Sequence, residues 1–184
     1  MADQAHSFDD IFALLESGGR APHEAGPARL TGLQHALQCA ELAASGGSLP
    51  SLVAAALLHD IGWIVATRAG AEGEPTMPHE EMGADYLSGL MPASVTEPIR
   101  LHVHAKRYLC ATQPGYFERL TPAARASLAV QGGPMEPGEA MQFLDLPFAE
   151  EAVRLRLWDE EAKVPGRETR PLEAFRSLLL SAAA

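Results

Sequence analysis

An adjacent pair, His59 and Asp60, follows an apolar run that begins at Leu52 and ends at Leu58. Alanine and leucine favour helix strongly, so this run predicts a buried helix, and Gly62 is suited to ending or bending it. A carboxylate beside an imidazole at a core helix needs compensation, because an unpaired buried charge is costly. A metal ion would supply that compensation, since a carboxylate can bridge two metals and an imidazole binds one. Taken alone, the pair is better explained by a histidine at a helix end beside a solvated aspartate.

Further ligand-type residues flank this pair along the chain. His35 lies upstream, and His79, His102 and Asp159 lie downstream. This order resembles the ligand order of the dinuclear branch of HD-domain metalloproteins. Six nitrogen and oxygen ligands without a thiolate suit iron or manganese better than a structural zinc site.

Recognisable helix starts precede two of these histidines. Thr31 and Gln34 form a capping box that opens the predicted helix of His35. Pro78 stands immediately before His79, where a proline favours the start of a helix. Both imidazoles are therefore predicted to lie in the first turn of a helix or close to it.

A choice between two histidines arises on the next predicted helix, for which Ser94 and Glu97 provide a cap. His102 and His104 are two residues apart, about 200° around a helix, so their rings face opposite sides and cannot easily serve one metal. Lys106 lies four residues after His102 and shares its face. We therefore assign His102 as the ligand and expect His104 at the surface or behind the ligands.

A polar strip marks the helix predicted over roughly residues 147–162. Arg156, Asp159 and Lys163 lie three and four residues apart, beside an apolar inward face. One acid between two bases is typical either of a self-neutralising surface ladder or of the wall of an anion site. The pattern alone favours the ladder.

Alternating β-branched stretches are missing from the sequence, which predicts an all-α fold. Short helices are expected over 7–16, 114–130 and 171–181, with an exposed loop over 66–78. The chain of 184 residues is long enough to bury a real core.

Composition limits the partners and the compartment. The formal net charge is −10 and no basic run appears, so nucleic acid is not an expected partner, and a small anion held by a few placed cations is favoured. No apolar run is long enough to span a bilayer, and the N-terminus lacks a signal-peptide pattern, so we expect a cytoplasmic protein without a membrane partner. Cys39 and Cys110 are expected to be reduced, buried thiols.

Several strings extend the likeness beyond the ligand order. They are LQHALQC (33–39), HEEMGADYL (79–87), HVHAKRYL (102–109), QGGPM (131–135), WD (158–159) and KVPG (163–166). Together they resemble the HD-domain mixed-valent diiron oxygenases that cleave carbon–phosphorus bonds, which are distant relatives of myo-inositol oxygenase. The resemblance covers most of residues 30–166. It implies one HD domain over 1–184, a helical bundle around a dinuclear metal site, with the N-terminal and C-terminal helices packed on the core.

The resemblance also implies a ligand set for two iron ions, Fe(II) and Fe(III). One iron would be bound by His35, His59, Asp60 and Asp159. Asp60 would bridge to the second iron, held by His79 and His102. The reacting part of the site is expected around that second iron, at Asp60, His79, His102 and Lys106.

Positions that hold the substrate phosphonate in the family can be matched in the same way. They are Lys106, Ser127, Gln131, Arg156 and Lys163. The family's reaction consumes O₂, removes hydrogen from C1 of a 1-hydroxyalkylphosphonate, and ends in phosphate and a carboxylic acid. The resemblance therefore implies two iron ions and O₂ as requirements, and it turns the polar strip into a site wall.

One departure concerns the organic part of the substrate. Related enzymes carry a tyrosine that occupies the iron until substrate arrives and a glutamate that recognises a substrate amine. The matching positions here are Ala25 and Ala28. These two residues argue against the aminoethyl substrate and the tyrosine gate of the best-known members.

Two other functions compete with an oxygenase. An HD-domain metal-dependent phosphohydrolase, acting on a small phosphate ester or a nucleotide, would use the same ligands, so the ligands alone do not separate the two. The matches at Lys106 and at residues 131–135 favour the oxygenase. A metal-binding regulatory module without turnover is the third hypothesis, and the positive wall around the metals argues against it.

Overall fold

Helices make up all the regular elements that the computed structural model shows. It describes residues 4–22, 30–68 and 77–184, and within these ranges no strand occurs, only an isolated bridge between Pro22 and Thr31. The prediction of an all-α fold is confirmed for these residues. Ala25 and Ala28, on which the expectation about the organic part of the substrate rests, lie outside them.

Eleven α-helices follow one another in the described parts of the chain. In order they are α1 (Phe8–Gly18), α2 (Gly32–Ser45), α3 (Pro50–Leu58), α4 (Ile61–Arg68), α5 (His79–Leu87), α6 (Ala93–Thr112), α7 (Tyr116–Arg119), α8 (Pro122–Val130), α9 (Pro137–Leu144), α10 (Ala149–Glu161) and α11 (Arg176–Ala182), the last preceded by a 3₁₀ turn at Leu172–Phe175.

The short apolar helix α3 is the centre of the bundle. All of its residues from Leu52 to Leu58 are buried, as expected for a helix that is apolar on every side. It packs against α2, α6, α10 and α11, while α4 pairs with α5 and α6 pairs with α10. Complete burial of a leucine or valine side chain contributes about 1.5–3 kcal/mol, so α3 fixes the helices around it.

Local capping signals locate two of the helix starts correctly. Thr31 Oγ1 accepts a hydrogen bond from the Gln34 backbone N–H (3.2 Å), and Gln34 Oε1 accepts one from the Thr31 N–H (3.0 Å). At the start of α1, Ser7 Oγ accepts a hydrogen bond from the Asp10 backbone N–H (3.2 Å). The predicted Ser94 cap is wrong, because α6 begins at Ala93 directly after Pro92 and has no side-chain cap. Ser94 therefore lies inside the first turn.

Gly62 does not end a helix, contrary to our expectation. The break falls at His59 and Asp60, between α3 and α4, and α4 then continues to Arg68. Residues 66–68 of the predicted loop are therefore helical, and residues 69–76 lie outside the described residues. A Cβ on Gly62 would lie 1.9 Å from the carbonyl oxygen of His79. Gly62 therefore permits the close approach of α4 to α5, which sets the position of His79.

The chain between residues 131 and 162 holds one helix that the periodicity analysis overlooked. Helix α9 (Pro137–Leu144) precedes α10, and it buries only Ala140 and Phe143.

Within the described parts of the chain, no single helix is long and apolar enough to cross a membrane, although the bent pair α3 and α4 has the length and composition to do so.

Replacing Gly62 by alanine is expected to destabilise the fold by about 1–3 kcal/mol, since the added methyl group collides with backbone that cannot move independently. Urea unfolding followed by circular dichroism measures this. Gly138→Ala is the matched control, because a Cβ there meets open space, and it should be neutral or stabilising by up to about 1 kcal/mol. Equal effects of the two substitutions would contradict the close helix contact.

Candidate metal centre

Five helical segments bring the six predicted ligands to one place. His35 lies in the first turn of α2, His59 and Asp60 lie in the break after α3, and His79 opens α5. His102 and Asp159 come from the middle of α6 and the end of α10. All of these side chains are buried except Asp60, which is partly exposed. The side chains are therefore held by the packing of the bundle.

The first group of donor atoms surrounds His35. Its Nε2 lies 3.3 Å from Nε2 of His59 and 3.3 Å from Oδ1 of Asp159. Oδ2 of Asp60 lies 3.5 Å from Nε2 of His59 and 4.0 Å from Nε2 of His35. Two imidazoles and two carboxylates thus face one point in the interior.

The second group contains His79 and His102. Their Nε2 atoms are 3.2 Å apart, and Oδ1 of Asp60 lies 3.4 Å from Nε2 of His79. Asp60 therefore turns one oxygen to each group. This is the arrangement of a carboxylate that bridges two metal ions.

Backbone carbonyls determine which ring nitrogen carries the proton in three of the histidines. The Nδ1 contacts are His35 to Ala162 O (3.0 Å), His59 to Ala56 O (3.0 Å) and His102 to Ile99 O (2.7 Å). Since a carbonyl oxygen only accepts, each Nδ1 must be the donor. Each Nε2 in the neutral ring then presents a lone pair towards the interior. Such an outer hydrogen bond is typical of metal-bound histidine.

The fourth histidine has a carboxylate on its outer side. Nδ1 of His79 lies 3.1 Å from Oε2 of the buried Glu80. The ring of Trp63 stacks on His79 with a centroid distance of 4.6 Å and an interplanar angle of 17°. Glu80 and Trp63 were not among the predicted site residues, because neither an adjacent acid nor an indole four residues past a histidine is a distinctive pattern.

The donor set fits a pair of metal ions. Buried lone pairs that face one another at 3.2–3.3 Å repel, and the two carboxylates beside them need positive charge. A cation in each group removes both problems. Burial, together with the neighbouring His79 and His59, holds the pKa of His102 well below its usual range, so this ring is in the neutral form that binds metal.

Cys39 lies beside the first group, which the sequence analysis did not anticipate. Its Sγ is 3.6 Å from Nε2 of His35 and the residue is fully buried. Both cysteines are free, as expected, and Cys110 is only half-buried. The spacing from His35 to Cys39 is one helical turn, so a search for potential ligands four residues apart would have found it.

The residues predicted to bind an anion line a cavity of about 290 Å³ that also reaches Asp60, His79 and His102. Within it lie the matched side chains Lys106, Ser127, Gln131, Arg156 and Lys163. Nζ of Lys106 donates to Oγ of Ser127 at 2.9 Å. The structure therefore brings these five residues together on one side of the ligand groups.

All three nitrogens of the Arg156 guanidinium donate hydrogen bonds to neighbouring side chains. Nη1 donates to Oδ2 of Asp159, Nη2 donates to Glu160 (2.7 Å) and Nε donates to the hydroxyl of Tyr116 (3.0 Å). Lys163 also donates to Glu160, at 3.2 Å. The polar strip thus combines an internal ion pair with side chains that line the cavity.

The two carboxylate oxygens of Asp159 contact different parts of the site. Oδ2 accepts from Arg156, whereas Oδ1 faces His35. Burial alone would raise the pKa of Asp159, but the charge of Arg156 holds it well below its usual range. This carboxylate is ionised at neutral pH and presents a single oxygen to the first ligand group.

His104 lies away from the ligand groups, as the helical geometry predicted. Its side chain is exposed, and it lines a neighbouring cavity of about 390 Å³ with Glu80 and Arg107. Of the two histidines on α6, only His102 faces the other ligands.

Comparison with known proteins gives a consistent result. Residues 32–130 match the HD domain family. The chain is 37% identical over 170 residues to hydroxymethylphosphonate dioxygenase of Gimesia maris, an alignment that covers 91% of this chain and 83% of the relative. It is 39% identical over 142 residues to 1-hydroxy-2-(trimethylamino)ethylphosphonate dioxygenase (glycine-betaine-forming) of Leisingera caerulea, covering 76% of this chain and 72% of the relative.

Metal content of ligand variants tests the assignment of the two groups. Asp60→Ala is expected to lose both metals, because it contributes an oxygen to each group. His102→Ala should lose mainly the second metal, and His104→Ala should lose neither. Elemental analysis of protein purified from iron-supplemented cells measures these losses.

Two outcomes would contradict the assignment. Equal loss of both metals in His102→Ala would mean that the groups are not separate. Loss of metal in His104→Ala but not in His102→Ala would mean that the ligand on α6 has been misplaced by two residues.

Proposed function

This chain belongs to the HD-domain family, and we propose that it is a dioxygenase that cleaves the carbon–phosphorus bond of a small 1-hydroxyalkylphosphonate. The observation that carries the proposal is a cavity with three cationic side chains that opens directly on the paired ligand groups. The names of the two relatives, both phosphonate dioxygenases, support it. The overall change converts the phosphonate and O₂ into a carboxylic acid and phosphate, which balances without a further reductant.

Two iron ions, Fe(II) and Fe(III), are the metals that we assign to the centre. His35, His59, Asp159 and one oxygen of Asp60 would hold the first. His79, His102 and the other oxygen of Asp60 would hold the second. When bound, the iron pair supplies the activation of O₂ and the redox chemistry that oxidises C1.

The second ligand group has the more open coordination. Among the described residues it offers three donor atoms, one each from Asp60, His79 and His102, whereas the first group offers four. All three residues of the second group line the cavity. A catalytic metal needs positions for its substrate, so we place the hydroxyl and phosphonate oxygens on this side.

Binding of the dianion falls to Lys106, Arg156 and Lys163, with the hydroxyl of Ser127 beside them. Charge-assisted hydrogen bonds of this type contribute about 1.5–3 kcal/mol each. Lys106 and Lys163 are the two lysines of the entire sequence, and both line this cavity. On a chain with a formal net charge of −10, this local positive charge is what attracts an anion.

A phosphohydrolase that acts on a phosphate ester or a nucleotide is the alternative. It would use the same ligands and the same cations. Small-molecule sites usually have volumes of about 300–1,000 Å³, and the cavity of about 290 Å³ lies just below that range. Its size favours a small phosphonate over a nucleotide.

Metal-loaded protein is expected to show a mixed-valent Fe(II)/Fe(III) signal in electron paramagnetic resonance. With hydroxymethylphosphonate it should consume one O₂ for each phosphate and formate released, because C1 is oxidised from the alcohol to the acid level. The Asp60→Ala variant should show no mixed-valent signal and should not consume O₂ with this substrate. Hydrolysis of nucleotides by a manganese- or magnesium-loaded protein, without consumption of O₂, would replace the oxygenase by the phosphohydrolase.

Anion affinity is expected to fall as the pH rises through about 8. Burial and the nearby positive charge of Arg156 lower the pKa of Lys106 to about 8. The charged form, which binds the anion, is present below that pH and is lost above it. Carbon-13 resonances of reductively methylated lysines measure the pKa directly, since the chain has only two lysines, and calorimetry with phosphate measures the affinity.

Two variants of Lys106 provide the controls. Lys106→Arg stays charged and should flatten the pH dependence between 7 and 9. Lys106→Ala should weaken phosphate binding about 10- to 100-fold with metal content unchanged, the loss of one charge-assisted hydrogen bond. A pH dependence that persists in Lys106→Arg would show that another group titrates.

A further inference from the structure

Arg107 directly follows the cavity residue Lys106 on α6 but makes a different set of contacts. Its Nε donates to the carbonyl oxygen of Gly133 at 2.9 Å. Its Nη1 and Nη2 donate to the two carboxylate oxygens of Glu139, at 2.6 and 2.9 Å. The backbone oxygen of Arg107 also accepts from the N–H of Met135 at 3.3 Å. One arginine thus joins α6, the turn over residues 131–135 and α9.

The two glycines of this turn have left-handed backbone, and one of them lies against the guanidinium of Arg107. Gly132 and Gly133 have φ values of +99° and +72°, a conformation that other residues rarely adopt. A Cβ on Gly132 would lie 3.4 Å from Nη2 of Arg107. The QGGPM string is therefore a glycine-dependent turn that contacts Arg107.

Helix α8 leads into this turn and forms one wall of the anion cavity. Ser127 on α8 and Gln131 at its C-terminal cap both line that cavity. Oε1 of Gln131 is buried, and it has no hydrogen-bond partner among the described residues. This oxygen is thus available to accept a hydrogen bond from a donor group of a ligand.

Apolar and polar contacts fix this wall at different places. Ala124 and Leu128 of α8 are buried in an apolar cluster with Leu109, Tyr116 and Leu120. On the cavity side Lys106 bonds to Ser127, and the turn that follows α8 is joined to α6 by the bond from Arg107 to Gly133.

We propose that Arg107 and Glu139 form a clamp that positions Ser127 and Gln131 against Lys106 and thereby sets the affinity of the cavity for its anion. The inference rests on the anion site of the proposed function. Arg107 is a positioning residue, since its side chain is committed to Gly133 and Glu139. The planar, bidentate contact explains an arginine here, because a lysine presents a single point charge and cannot hold both partners.

Substitution of Arg107 tests the clamp in the full-length, metal-loaded protein. Arg107→Ala should raise the Kd for inorganic phosphate and the KM for hydroxymethylphosphonate about tenfold, the equivalent of one lost hydrogen bond to the anion. Metal content and kcat should stay within about twofold, because no metal ligand moves. Arg107→Lys should restore only part of the affinity, and Glu139→Gln should give an intermediate loss.

Arg170→Ala is the matched control. Arg170 makes the same two-pronged contact, to Glu41 at 2.8 and 2.9 Å, on a different part of the surface. The Arg170→Ala substitution removes a comparable ion pair, and it should leave the Kd for phosphate and the KM for hydroxymethylphosphonate unchanged.

Several results would overturn the clamp. They are an unchanged Kd in Arg107→Ala, an equal change in Arg170→Ala, complete restoration by Arg107→Lys, or a fall in kcat with KM constant. If wild-type protein binds phosphate but shows no turnover, the proposed reaction fails while the phosphate Kd still tests the clamp. If wild-type protein binds no phosphate at all, both proposals fail.

Discussion

The convergence of unprotonated imidazole nitrogens and carboxylates in a dry interior is the constraint on which this structure depends. Nε2 atoms lie 3.2–3.3 Å apart in two pairs, with Asp60 between the pairs. Without a cation this arrangement is repulsive, and with one it is a strong binding site. The outer hydrogen bonds of the rings to backbone carbonyls make it rigid, because those carbonyls belong to α3, α6 and the end of α10. The helical bundle therefore holds seven donor atoms, contributed by six residues, against their own repulsion.

Local charge, and not the charge of the entire molecule, decides what this site can bind. The chain is strongly acidic, and most of its cations are arginines. Its two lysines are both at the cavity, where burial makes a lysine easier to deprotonate than an arginine. Arg156 supplies a permanent charge, and Lys106 supplies one that depends on pH. The cavity beside the ligand groups therefore contains both a permanent and a titratable positive charge.

Sequence patterns predicted correctly the features that depend on contacts within one helix. They failed for residues whose role depends on a contact with another part of the fold. The capping box at Thr31 and the opposite orientations of His102 and His104 follow from the geometry of single helices, and the structure shows both. The role of Gly62 was misjudged because its reason is the backbone of His79, on another helix. Tyr116 and Glu160, which hold Arg156, give no sequence signal because their importance comes from a tertiary contact. Helix α9 buries two residues only, so its apolar periodicity was too weak to detect.

Asp159 and Arg156 connect the first ligand group to the cavity through a single ion pair. One oxygen of Asp159 faces the first ligand group, and the other accepts from Arg156, which lines the cavity. An anion beside Arg156 would reduce the positive charge that Asp159 experiences, and so would increase the negative charge that this carboxylate can offer a metal. By thermodynamic linkage a metal would then change the affinity of the cavity by the same factor. Tyr116 and Glu160 hold Arg156 in this position, so such coupling would act through a fixed arginine and would require no movement of the helices.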